Sequence, residues 1–435
     1  MSSLFGALST AISGLKAQSA AFGTISDNIA NSQTTGFKAA DTSFADYLTS
    51  STASVNDSGF VLARPAYNNA VQGTIASSTN TLALAISGNG FFQVNHETID
   101  AAGGSTIGAQ SEFTRDGTFK LDLNGYLVND TSEALSGWAI NPSTGVANQN
   151  ALGPIKVDQA SFAPVATSTV TLAANLPATS AAATPVASQI NVYDAKGTVH
   201  VVDLQWTHTA ADTWSLAINA PDAASPALGG AQVAFGAASG NGVPAGCIGS
   251  INNDTGTVTS LAYGANAPAS LSFTADFGSG PQTIALKLGS YGQTSGVTQF
   301  AGTTYTLSGL TQNGVPPGAF SGVSIQPSGD VVINYDNNQT RTVARIPLAK
   351  FANPDALQRA DGQAFTSTIG SGQPLEENAG TSGTGNLVTA ATENSTVDIA
   401  TEFTKLIVAQ QAYSANTKVV TTADQLMQVT LNMKT

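Results

Sequence analysis

The strongest constraint on this fold is a helical pattern of apolar residues at each end of a chain whose middle shows no such pattern. At the N-terminus, apolar residues recur at steps of three and four, which is the period of an amphipathic helix rather than of a strand. The positions that form this stripe are Leu4, Leu8, Ile12, Leu15, Phe22, Ile25 and Ile29. A one-sided helix of this kind is stable only when another surface covers its stripe.

The C-terminus carries the second pattern, and neither Gly nor Pro interrupts it between residues 398 and 435. A helix of this length would span about 54 Å. Its apolar residues close to heptad positions are Ile399, Phe403, Leu406, Ile407, Tyr413, Val420, Met427 and Leu431. Gln410, Thr417 and Asp424 occupy further expected seam positions, so the seam is less apolar than that of a strong coiled coil.

Two arrangements would cover these helices. They could pack on each other as a helical hairpin that closes a globular protein, or they could form an assembly surface against neighbouring copies of the chain. Periodicity does not distinguish the two. Small residues on several sides of the first helix permit close helix approach and favour assembly. They are Gly6, Ala7, Ala11, Gly14, Ala17, Ala20 and Ala21.

The first helix is followed by NIANSQTTGFK, residues 28–38, which holds more turn-forming residues than a helix end requires. Its two Asn residues lie three positions apart on one side of the last turn, and Asn tolerates the left-handed conformation that ends helices. The hydroxyls of Ser32, Thr34 and Thr35 are placed to satisfy free backbone groups, and the glycine permits a positive φ. We predict a joint that fixes the angle between helix and β region. Its residues are Asn28, Asn31, Thr34, Thr35, Gly36 and the apolar anchor Phe37.

Short alternating strands separated by turn dipeptides make up the middle of the chain. In FTRDGTFKLDLNGYLVND, residues 113–130, Asp116-Gly117 and Asn124-Gly125 are favoured two-residue hairpin turns. The strand between them would have one apolar face, formed by Phe119, Leu121 and Leu123. Further strands are predicted in VTLAANL, QINVYDAKGTVHVVDLQW, TWSLAINA and SLSFTADF, and DVVINYDNNQTRTVARIPL predicts a hairpin that turns near Asn337-Asn338.

These patterns predict a multi-domain, mainly β protein with a terminal α-helical coiled coil. The stretch from about 160 to 325 is poorer in charge and richer in Ala, Ser, Gly and Thr, which indicates an inserted all-β domain. We therefore expect nested, discontinuous domains. They are 1–30 with 397–435 for the paired N- and C-terminal helices of an axial core, 31–75 with 371–396 for an extended connector, 76–165 with 320–370 for an inner β domain, and 166–319 for an inserted outer β domain.

Charge and cysteine content exclude several classes of function. The formal net charge is −13, and Lys287 is the only Lys or Arg from residue 201 to 340, which argues against a basic surface for nucleic acid. The single cysteine, Cys247, excludes an intramolecular disulfide framework and a zinc site of the CxxC type. No run of about 18 apolar residues predicts a membrane span. Since no basic residue precedes Lys16, we expect no cleaved signal peptide.

Few residues could support catalysis or metal binding. The only imidazoles are those of His96, His200 and His208. If VHVVDLQWTH is one strand, His200 and His208 lie roughly 26 Å apart and Asp203 points to the other face. SGNGFF lacks the third glycine of a dinucleotide fold, and residues 122–125 lack the closing Glu of a calcium loop. We therefore predict no enzyme activity, no cofactor and no metal site.

Four motifs give the chain a resemblance to one family. NIANSQTTGFK (28–38), ISGNGFFQV (86–94), FTRDGTFKLDLNGYLV (113–128) and QQAYSANTKVVTTADQLMQVTLNMK (410–434) are similar to segments of the bacterial flagellar rod and hook axial proteins. Within that family, hook subunits are most similar, because IPLAKFANPDALQRADGQAFTSTIGSGQP (346–374) resembles the stretch after their inserted domain. Distal rod proteins lack so large an insertion.

The resemblance implies a structural subunit of the flagellar hook, which self-assembles into a curved, hollow helical tube. Such a tube is a universal joint that transmits torque from the motor rod to the filament. The resemblance also implies export of the unfolded chain through the flagellar type III channel and an extracellular location in the hook and basal body. The implied partners are other copies of the chain, the distal rod protein, the hook cap protein, the hook-filament junction protein and the type III export apparatus, with no nucleic acid.

Two alternatives and two expectations accompany this interpretation. The chain could instead be a distal rod subunit of the same family or, from a different class, a secreted β-rich adhesin. As a hook subunit, it would resist torsion through its terminal helices, while the polar contacts of its outer domains slide because water replaces them at little cost. Before assembly, residues 1–28 and 400–435 would be largely disordered, since their apolar stripes lack a partner.

Overall fold

The computed structural model describes residues 2–51, 56–99, 105–179, 185–236, 243–253, 258–259 and 267–432. Strands are the most abundant regular structure in these residues, so the mainly β class predicted from the sequence is confirmed. The two long helices are α1 (Ser2–Ala30) and α2 (Ile399–Asn432), and two short 3-10 helices cover Pro354–Ala356 and Asp361–Gln363. Neither long helix, within the ranges given, is apolar enough to cross a membrane.

Within the described residues, thirty strands lie between the long helices. The first ten are β1 (Ala40–Ser51), β2 (Asn56–Tyr67), β3 (Ile75–Ser77), β4 (Leu84–Ser87), β5 (Phe92–Ile99), β6 (Ser105–Thr114), β7 (Lys120–Leu121), β8 (Leu127–Val128), β9 (Glu133–Ile140) and β10 (Ala147–Pro154). The next eleven are β11 (Thr169–Asn175), β12 (Val186–Tyr193), β13 (Val199–Ala210), β14 (Thr213–Asn219), β15 (Ala227–Phe235), β16 (Ile248–Asn253), β17 (Val258–Thr259), β18 (Pro268–Asp276), β19 (Pro281–Ser290), β20 (Val297–Thr298) and β21 (Thr306–Gln312). The last nine are β22 (Phe320–Ile325), β23 (Asp330–Tyr335), β24 (Thr340–Arg345), β25 (Pro347–Lys350), β26 (Gln358–Arg359), β27 (Ala364–Thr366), β28 (Leu375–Asn378), β29 (Asn386–Thr389) and β30 (Ala391–Glu393).

The chain forms two compact units. Unit 1 comprises Met1–Gln159, Gly322–Asn334 and Thr340–Thr435, and unit 2 comprises Ala160–Ser321 and Tyr335–Gln339. Each contains strands that are distant in sequence, as hydrogen-bonded pairs such as β4 with β29 in unit 1 illustrate. The finer division into four nested domains stays a prediction.

Unit 1 is built on an eleven-stranded sheet in the order β22-β23-β24-β9-β5-β6-β27-β26, with β10 and β8 also paired to β9 and β7 paired to β8. Strands β1 and β2 form a separate antiparallel ribbon of twelve residues on each side. An aromatic cluster packs edge to face inside the unit, where the Phe113 and Phe351 ring centroids are 4.8 Å apart and Phe91 contacts both Phe351 and Phe365.

Unit 2 holds a six-stranded antiparallel sheet, β12 to β17 in chain order, and a five-stranded sheet in which β11 pairs in parallel with β19 and β20. Alternation along the strands of both sheets directs apolar side chains into one shared core. Trp206 and Trp214 from the first sheet lie there with Leu172 and Leu286 from the second, and all four are buried.

The structure confirms one predicted hairpin and alters another. Strands β23 and β24 pair from Asp330↔Arg345 to Asn334↔Thr340, so the turn near Asn337-Asn338 is present. Around Asn124-Gly125, β7 and β8 also pair, but the last ladder pair is Leu121↔Leu127 and the loop is therefore longer than two residues.

The predicted hairpin turn at Asp116-Gly117 is wrong, because β7 pairs with β8 and not with β6, which ends at Thr114. Gly117 instead passes the backbone of Leu84 so closely that an added Cβ would lie 1.7 Å from the Leu84 carbonyl oxygen. The single apolar face predicted for this strand is also wrong. Phe119 is buried, whereas Leu123 lies in the loop and is fully exposed.

Candidate functional site: the helix pair and its connector

Helices α1 and α2 pack against each other in antiparallel orientation. Near the C-terminal end of α1, the side-chain amide of Asn28 donates a hydrogen bond to Oε2 of Glu402, in the first turn of α2, over 3.2 Å. Further toward the start of α1, the rings of Phe22 and Tyr413 meet edge to face with centroids 6.3 Å apart. Of the two arrangements that the sequence left open, the helix pair within one chain is therefore present.

At every second position of the predicted seam, the residue of α2 that faces α1 is the one just before the predicted residue. Ala409 is buried there, for example, and Gln410 is not. Up to residue 429, the buried and half-buried residues of α2 are Glu402, Lys405, Leu406, Ala409, Ala412, Asn416, Val420, Ala423 and Met427. Gln410, Thr417 and Asp424 are exposed, so their placement on the seam is wrong for this pair. In the sequence, the large ring of Phe403 favoured the predicted seam. In the structure, the small buried residues Ala409 and Ala423 face α1 and permit a close approach. Gly14 lies so near Asn416 that an added Cβ would be 3.0 Å from Nδ2.

The apolar residues predicted on the two helices divide between this seam and the surface. Ile25 is buried, and the half-buried ones are Leu8, Leu15, Phe22, Ile29, Leu406, Val420 and Met427. The exposed ones are Ile12, Ile399, Phe403, Ile407 and Tyr413. The side chains of Leu4 and Leu431 lie outside the described residues.

The face of α2 that does not contact α1 is rich in exposed apolar side chains. Those farthest from the contact with α1 are Phe403, Ile407 and Val429, and Ile399, Val408, Val419 and Leu426 are exposed nearer its edges. Phe403 is 51% exposed and Ile407 is 53% exposed. An amphipathic helix of a monomeric globular protein carries polar residues on this face. Contiguous exposed apolar surface marks a place where another molecule binds.

The ribbon of β1 and β2 lies along α1 and carries exposed apolar residues of its own. The backbone N–H of Val61 donates a hydrogen bond to Oγ of Ser13 over 3.0 Å, which fixes the ribbon against the helix. On the ribbon, the rings of Tyr47 and Phe60 stack with centroids 5.0 Å apart, and Arg64 donates to the Tyr47 hydroxyl over 2.8 Å. Exposed apolar residues of the ribbon are Phe44, Tyr47, Phe60 and Leu62.

Asn28 joins three elements at the point where α1 ends. Its buried side chain donates from Nδ2 to the carbonyl oxygen of Ala40 over 2.8 Å and accepts at Oδ1 from the Ala40 N–H over 3.1 Å. The same Nδ2 donates to Glu402, and Lys405 in the next turn of α2 binds Asp41 of β1 over 2.6 Å. Asn28 therefore ties α1 to β1 and to α2, which is more than the helix-ending role predicted for it.

Asn31 and Thr34 form local bonds other than the predicted ones. Nδ2 of Asn31 donates to the carbonyl oxygen of Asp27 over 2.9 Å, and the Thr34 hydroxyl donates to Oδ1 of Asn31 over 3.1 Å. Asn31 does not have a positive φ, and the Asp27 carbonyl also accepts the backbone N–H of Asn31 over 3.1 Å. Thr35 is half-buried.

Gly36 has the positive φ expected of it, at 72°. Its N–H donates to the carbonyl oxygen of Glu393 over 2.8 Å, and an added Cβ would lie 2.6 Å from the backbone nitrogen of Asp116. The next residue, Phe37, is buried as predicted, and the guanidinium of Arg359 lies over its ring at 5.1 Å from the centroid.

Glu393 is the centre of a buried ion cluster directly behind this turn. Oε1 accepts a hydrogen bond from Lys38 Nζ over 2.5 Å and from the N–H of Gly73 over 2.7 Å. Oε2 accepts from Arg115 over 3.0 Å. Lys38 and Glu393 have no exposed side-chain surface. Such a cluster holds only when each charge is paired, because one unpaired buried charge costs several kcal/mol.

Burial has the largest effect on the pKa of both cations of the cluster, Lys38 and Arg115. It lowers the pKa of Lys38, although the neighbouring Glu393 carboxylate opposes that effect. It likewise lowers the pKa of the Arg115 guanidinium against the same carboxylate. Arg115 donates in addition to the carbonyl oxygens of Ile86 and Gly88, over 3.4 and 2.8 Å. Segments far apart in sequence thus meet at one carboxylate.

The sequence did not predict a role for Glu393, Arg115 or Glu402, and Lys38 had none beyond its place in the motif NIANSQTTGFK. One signal was available: only 10% of the chain is charged, so a charge inside an otherwise polar and apolar motif is unusual. Lys38 closes NIANSQTTGFK, and Arg115 lies between two turn-forming stretches. Their common partner could not be found from spacing, because Glu393 is more than 270 residues from Arg115 along the chain.

In the part of the chain that the structure describes, no group of three or more His, Cys, Asp or Glu side chains is arranged to hold a metal ion. Both carboxylate oxygens of Glu393 are already bonded, Oε1 by Lys38 and the Gly73 N–H and Oε2 by Arg115.

Known protein families match the chain in four segments. The family described as flagella basal body rod protein matches residues 8–38, and the flagellar hook protein FlgE/F/G D1 domain matches 85–199. The flagellar basal body protein FlaE D2 domain matches 160–315, and the flagellar basal body rod FlgEFG protein C-terminal family matches 388–433.

Individual proteins are similar over their full lengths. The flagellar hook protein FlgE of Brucella abortus is 34% identical over 439 residues, which cover 99% of this chain and 100% of that protein. FlgE of Salmonella typhimurium is 29% identical over 446 residues, covering 98% of this chain and 99% of that one. A crystal structure of Helicobacter pylori flagellar hook protein FlgE2 matches with a TM-score of 0.48 and 14% identity, covering 72% of this chain and 98% of that one.

Proposed function

The chain belongs to the flagellar hook protein family, and from that premise we propose that it polymerises into the curved, hollow tube that joins the motor rod to the filament. Membership of the family implies self-polymerisation within the flagellum and a place in the hook and basal body. The tube would act as a universal joint, transmitting torque while it bends.

The exposed apolar face of α2 is the observation that carries this proposal. Phe403 and Ile407 are each about half exposed although α1 already covers the opposite face of the helix. Neighbouring copies of the chain would cover them, gaining about 25 cal/mol for each Å² of apolar surface removed from water. The ribbon residues Phe44, Tyr47, Phe60 and Leu62 would take part in the same contacts.

The connector would set the angle at which each subunit presents its helices. Asn28 binds both β1 and α2, and Gly36 is held against Asp116 and Glu393. Because every subunit of a helical polymer repeats the same angle, a small error there would accumulate along the tube. We therefore assign the predicted connector residues and the Glu393 cluster to this task.

Contacts between copies of unit 2 would make the tube easy to bend. Unit 2 is rich in Ser, Thr, Asn and Gln and poor in charge, with Lys287 the only Lys or Arg from residue 201 to 340. Contacts between such surfaces are weak, and water replaces them at little cost. Stiffness in twist would come from the helices and ease of bending from contacts between copies of unit 2. In this proposal residues 166–319 form the outer domain of the tube, and the remaining predicted domains lie inside it.

The other partners follow from a place in the hook. The partners that we propose for the chain are the distal rod protein, the hook cap protein, the hook-filament junction protein and the type III export apparatus. Through this apparatus the chain would leave the cell unfolded. Before assembly α1 and α2 would be loosely held, because much of the apolar surface of α2 is exposed in a single chain.

Electron microscopy of the purified chain after assembly tests the proposal. Curved tubes are expected from the wild type, and Ile407→Asp should form none, because its carboxylate would be buried without a partner at the contact between copies. Ile407→Leu, which keeps an apolar side chain at the same exposed position, is the matched control and should still assemble. Wild-type tubes from Ile407→Asp would overturn the proposal. Straight tubes from the wild type would indicate a rod subunit, and soluble monomers a secreted adhesin.

A further inference from the structure

Unit 1 has a groove between α1, α2 and β1, with a volume of about 410 Å³. We call it the helix groove, and most of its lining is apolar. The residues that form this apolar lining include Ala21, Ile25, Ala40, Val408, Ala409 and Ala412. Most of them are alanines, whose short side chains leave open the space that larger residues would fill.

The charged residues of the helix groove are already paired with one another. Nζ of Lys405 lies 2.6 Å from Oδ1 of Asp41 and 2.8 Å from Oε1 of Glu402. The other carboxylate oxygen of Glu402 accepts the hydrogen bond from Asn28. An occupant of the groove therefore need not supply an ion. Because Asp41 and Glu402 face a single cation, the groove keeps a negative charge in excess.

The chemistry of the helix groove determines what kind of group fits into it. In a single chain, on the order of ten water molecules would fill this volume. Apolar side chains that displaced this water would gain free energy, because the floor of the groove is apolar. A strongly polar occupant would lose its own hydration and find few free partners in return. The groove therefore suits apolar side chains.

Phe403 and Ile407 form an apolar ridge on another side of α2. They lie one turn apart and are 51% and 53% exposed. With 3.6 residues per turn, Phe403 lies on the opposite side of the helix from Ala412 of the groove, nine residues later. The apolar ridge therefore cannot enter the groove of its own chain. A second copy of the chain can present the ridge to it.

The charge next to the apolar ridge is opposite in sign to that of the groove. Lys418 lies eleven residues after Ile407, which is three helical turns and hence the same side of α2, and it is exposed. The other charged residues of α2 are Glu402 and Lys405 of the groove and Asp424, which lies on a different side. A positive ridge and a negative groove favour contact with each other.

We propose that the helix groove of one copy receives Phe403 and Ile407 of a neighbouring copy. This contact rests on the proposed function, because it requires the chain to assemble. Since ridge and groove are different surfaces, the contact is heterologous and does not close into a two-fold dimer. Each added copy leaves one groove or one ridge free for the next. Glu402 lines the groove and binds Asn28, so the neighbouring copy would lie directly beside the connector.

Cross-linking between copies in assembled tubes tests this contact. Two variants of the full chain are mixed, one of them with a tag that changes its gel mobility, and both carry Cys247→Ala to remove the native thiol. Gln411→Cys marks the ridge one turn after Ile407, and Thr24→Cys marks the groove. With a short bismaleimide, the mixed dimer should be about tenfold more abundant than the dimer of either variant with itself, because only ridge and groove lie close together.

Gly23→Cys is the matched control, because Gly23 precedes Thr24 but does not line the groove, and an added Cβ there meets no atom within 4 Å. It should link poorly to Gln411→Cys. Thr42→Cys, on the β1 side of the groove, replaces Thr24→Cys if that variant does not assemble. Tubes in which Gln411→Cys links to Gly23→Cys as efficiently as to the groove variants, or to neither groove variant, would overturn the contact. A wild type that forms no tubes would instead overturn the proposed function on which the contact rests.

Discussion

Gly36 shows how one residue determines the path of the chain between helix and sheet. Its φ of 72° belongs to the left-handed region, which side chains with a Cβ rarely adopt. The atoms that an added Cβ would meet are backbone atoms of Arg115 and Asp116, which cannot rotate aside as a side chain would. The backbone of Glu393 holds the turn from the other side. Conformation and space therefore both require glycine here.

Gly36→Val is accordingly expected to destabilise unit 1 by at least about 2 kcal/mol and to prevent tube assembly. Urea unfolding and electron microscopy measure the two effects. Gly23→Ala is the control, since Gly23 lies in α1 with no atom within 4 Å of an added Cβ. That change should stabilise the helix by up to about 1 kcal/mol. Normal stability and normal tubes from Gly36→Val would refute the role given to the connector.

Glu133 provides a second test at the scale of one residue. Burial raises the pKa of this carboxyl to about 7, with Glu112 and Asp116 adding to the effect, although Asn129 donates to Oε2 over 2.6 Å. The folded chain therefore binds a proton that the unfolded chain, in which the pKa of this carboxyl has its ordinary value of 4.5, has released. Stability is fully present below about pH 4.5 and is lost as pH rises to about 7, by about 3 kcal/mol in total.

Glu133→Gln should remove this loss, because a neutral amide stays in the buried position at every pH. Unfolding of the variant near pH 8 should require up to about 3 kcal/mol more than that of the wild type, and the two should converge near pH 4.5. Glu376→Gln, in the half-buried strand β28, should leave the pH dependence as it is. Parallel pH profiles for Glu133→Gln and the wild type would contradict the assignment.

At the scale of elements, α2 uses its two faces differently. Toward α1 it presents small residues such as Ala409 and Ala423, both buried, and outward it presents large ones such as Phe403 and Leu426. Small residues bring the helix axes close together, while the large ones remain available to other molecules. The distribution is the reverse of a simple two-helix coiled coil, whose largest apolar residues lie in the seam.

Disulfide trapping in the assembled chain tests this register. Gly14→Cys combined with Asn416→Cys should cross-link under mild oxidation, because an added Cβ at Gly14 lies 3.0 Å from the Asn416 side chain. Gly14→Cys combined with Thr417→Cys should cross-link poorly, since Thr417 is exposed. The native Cys247 is buried and belongs to unit 2. Gel mobility reports the outcome, and efficient cross-linking of the second pair alone would restore the seam expected from the sequence.

The helices and most strands could be predicted because periodicity is a local property. The hairpin of β23 and β24 needed only alternation and a turn, and both lie within about twenty residues. The register of α2 could not be predicted, because it depends on small residues whose burial leaves little apolar signal. The partners of Gly117 and Glu393 were hidden for another reason. Leu84 and Arg115 approach them only after strands distant in sequence have paired.

At the scale of the whole molecule, the two units differ in the source of their stability. Unit 2 has a large apolar core shared by two sheets, with Trp206 and Trp214 fully buried. Unit 1 adds to its sheet a buried ion cluster and a helix pair with an exposed apolar face. The first resembles an independent domain, and the second a protein that reaches its full stability in contact with copies of itself.

Removing unit 2 tests whether the tube's ease of bending and its resistance to twist come from different parts of the chain. Phe162 and Gly318 are hydrogen-bonded to each other, with N to O at 2.7 Å, so a short Gly-Ser linker can replace residues 163–317 without stretching the chain. The shortened chain keeps α1, α2 and the connector and is expected to form tubes by electron microscopy. Their resistance to twist should be close to that of the wild type, whereas their curvature should be lost, because the weak polar contacts between copies of unit 2 no longer exist.

If tubes of the shortened chain curve as readily as those of the full chain, the ease of bending comes from unit 1. If no tubes form although the helices are present by circular dichroism, unit 2 is part of the assembly contact itself.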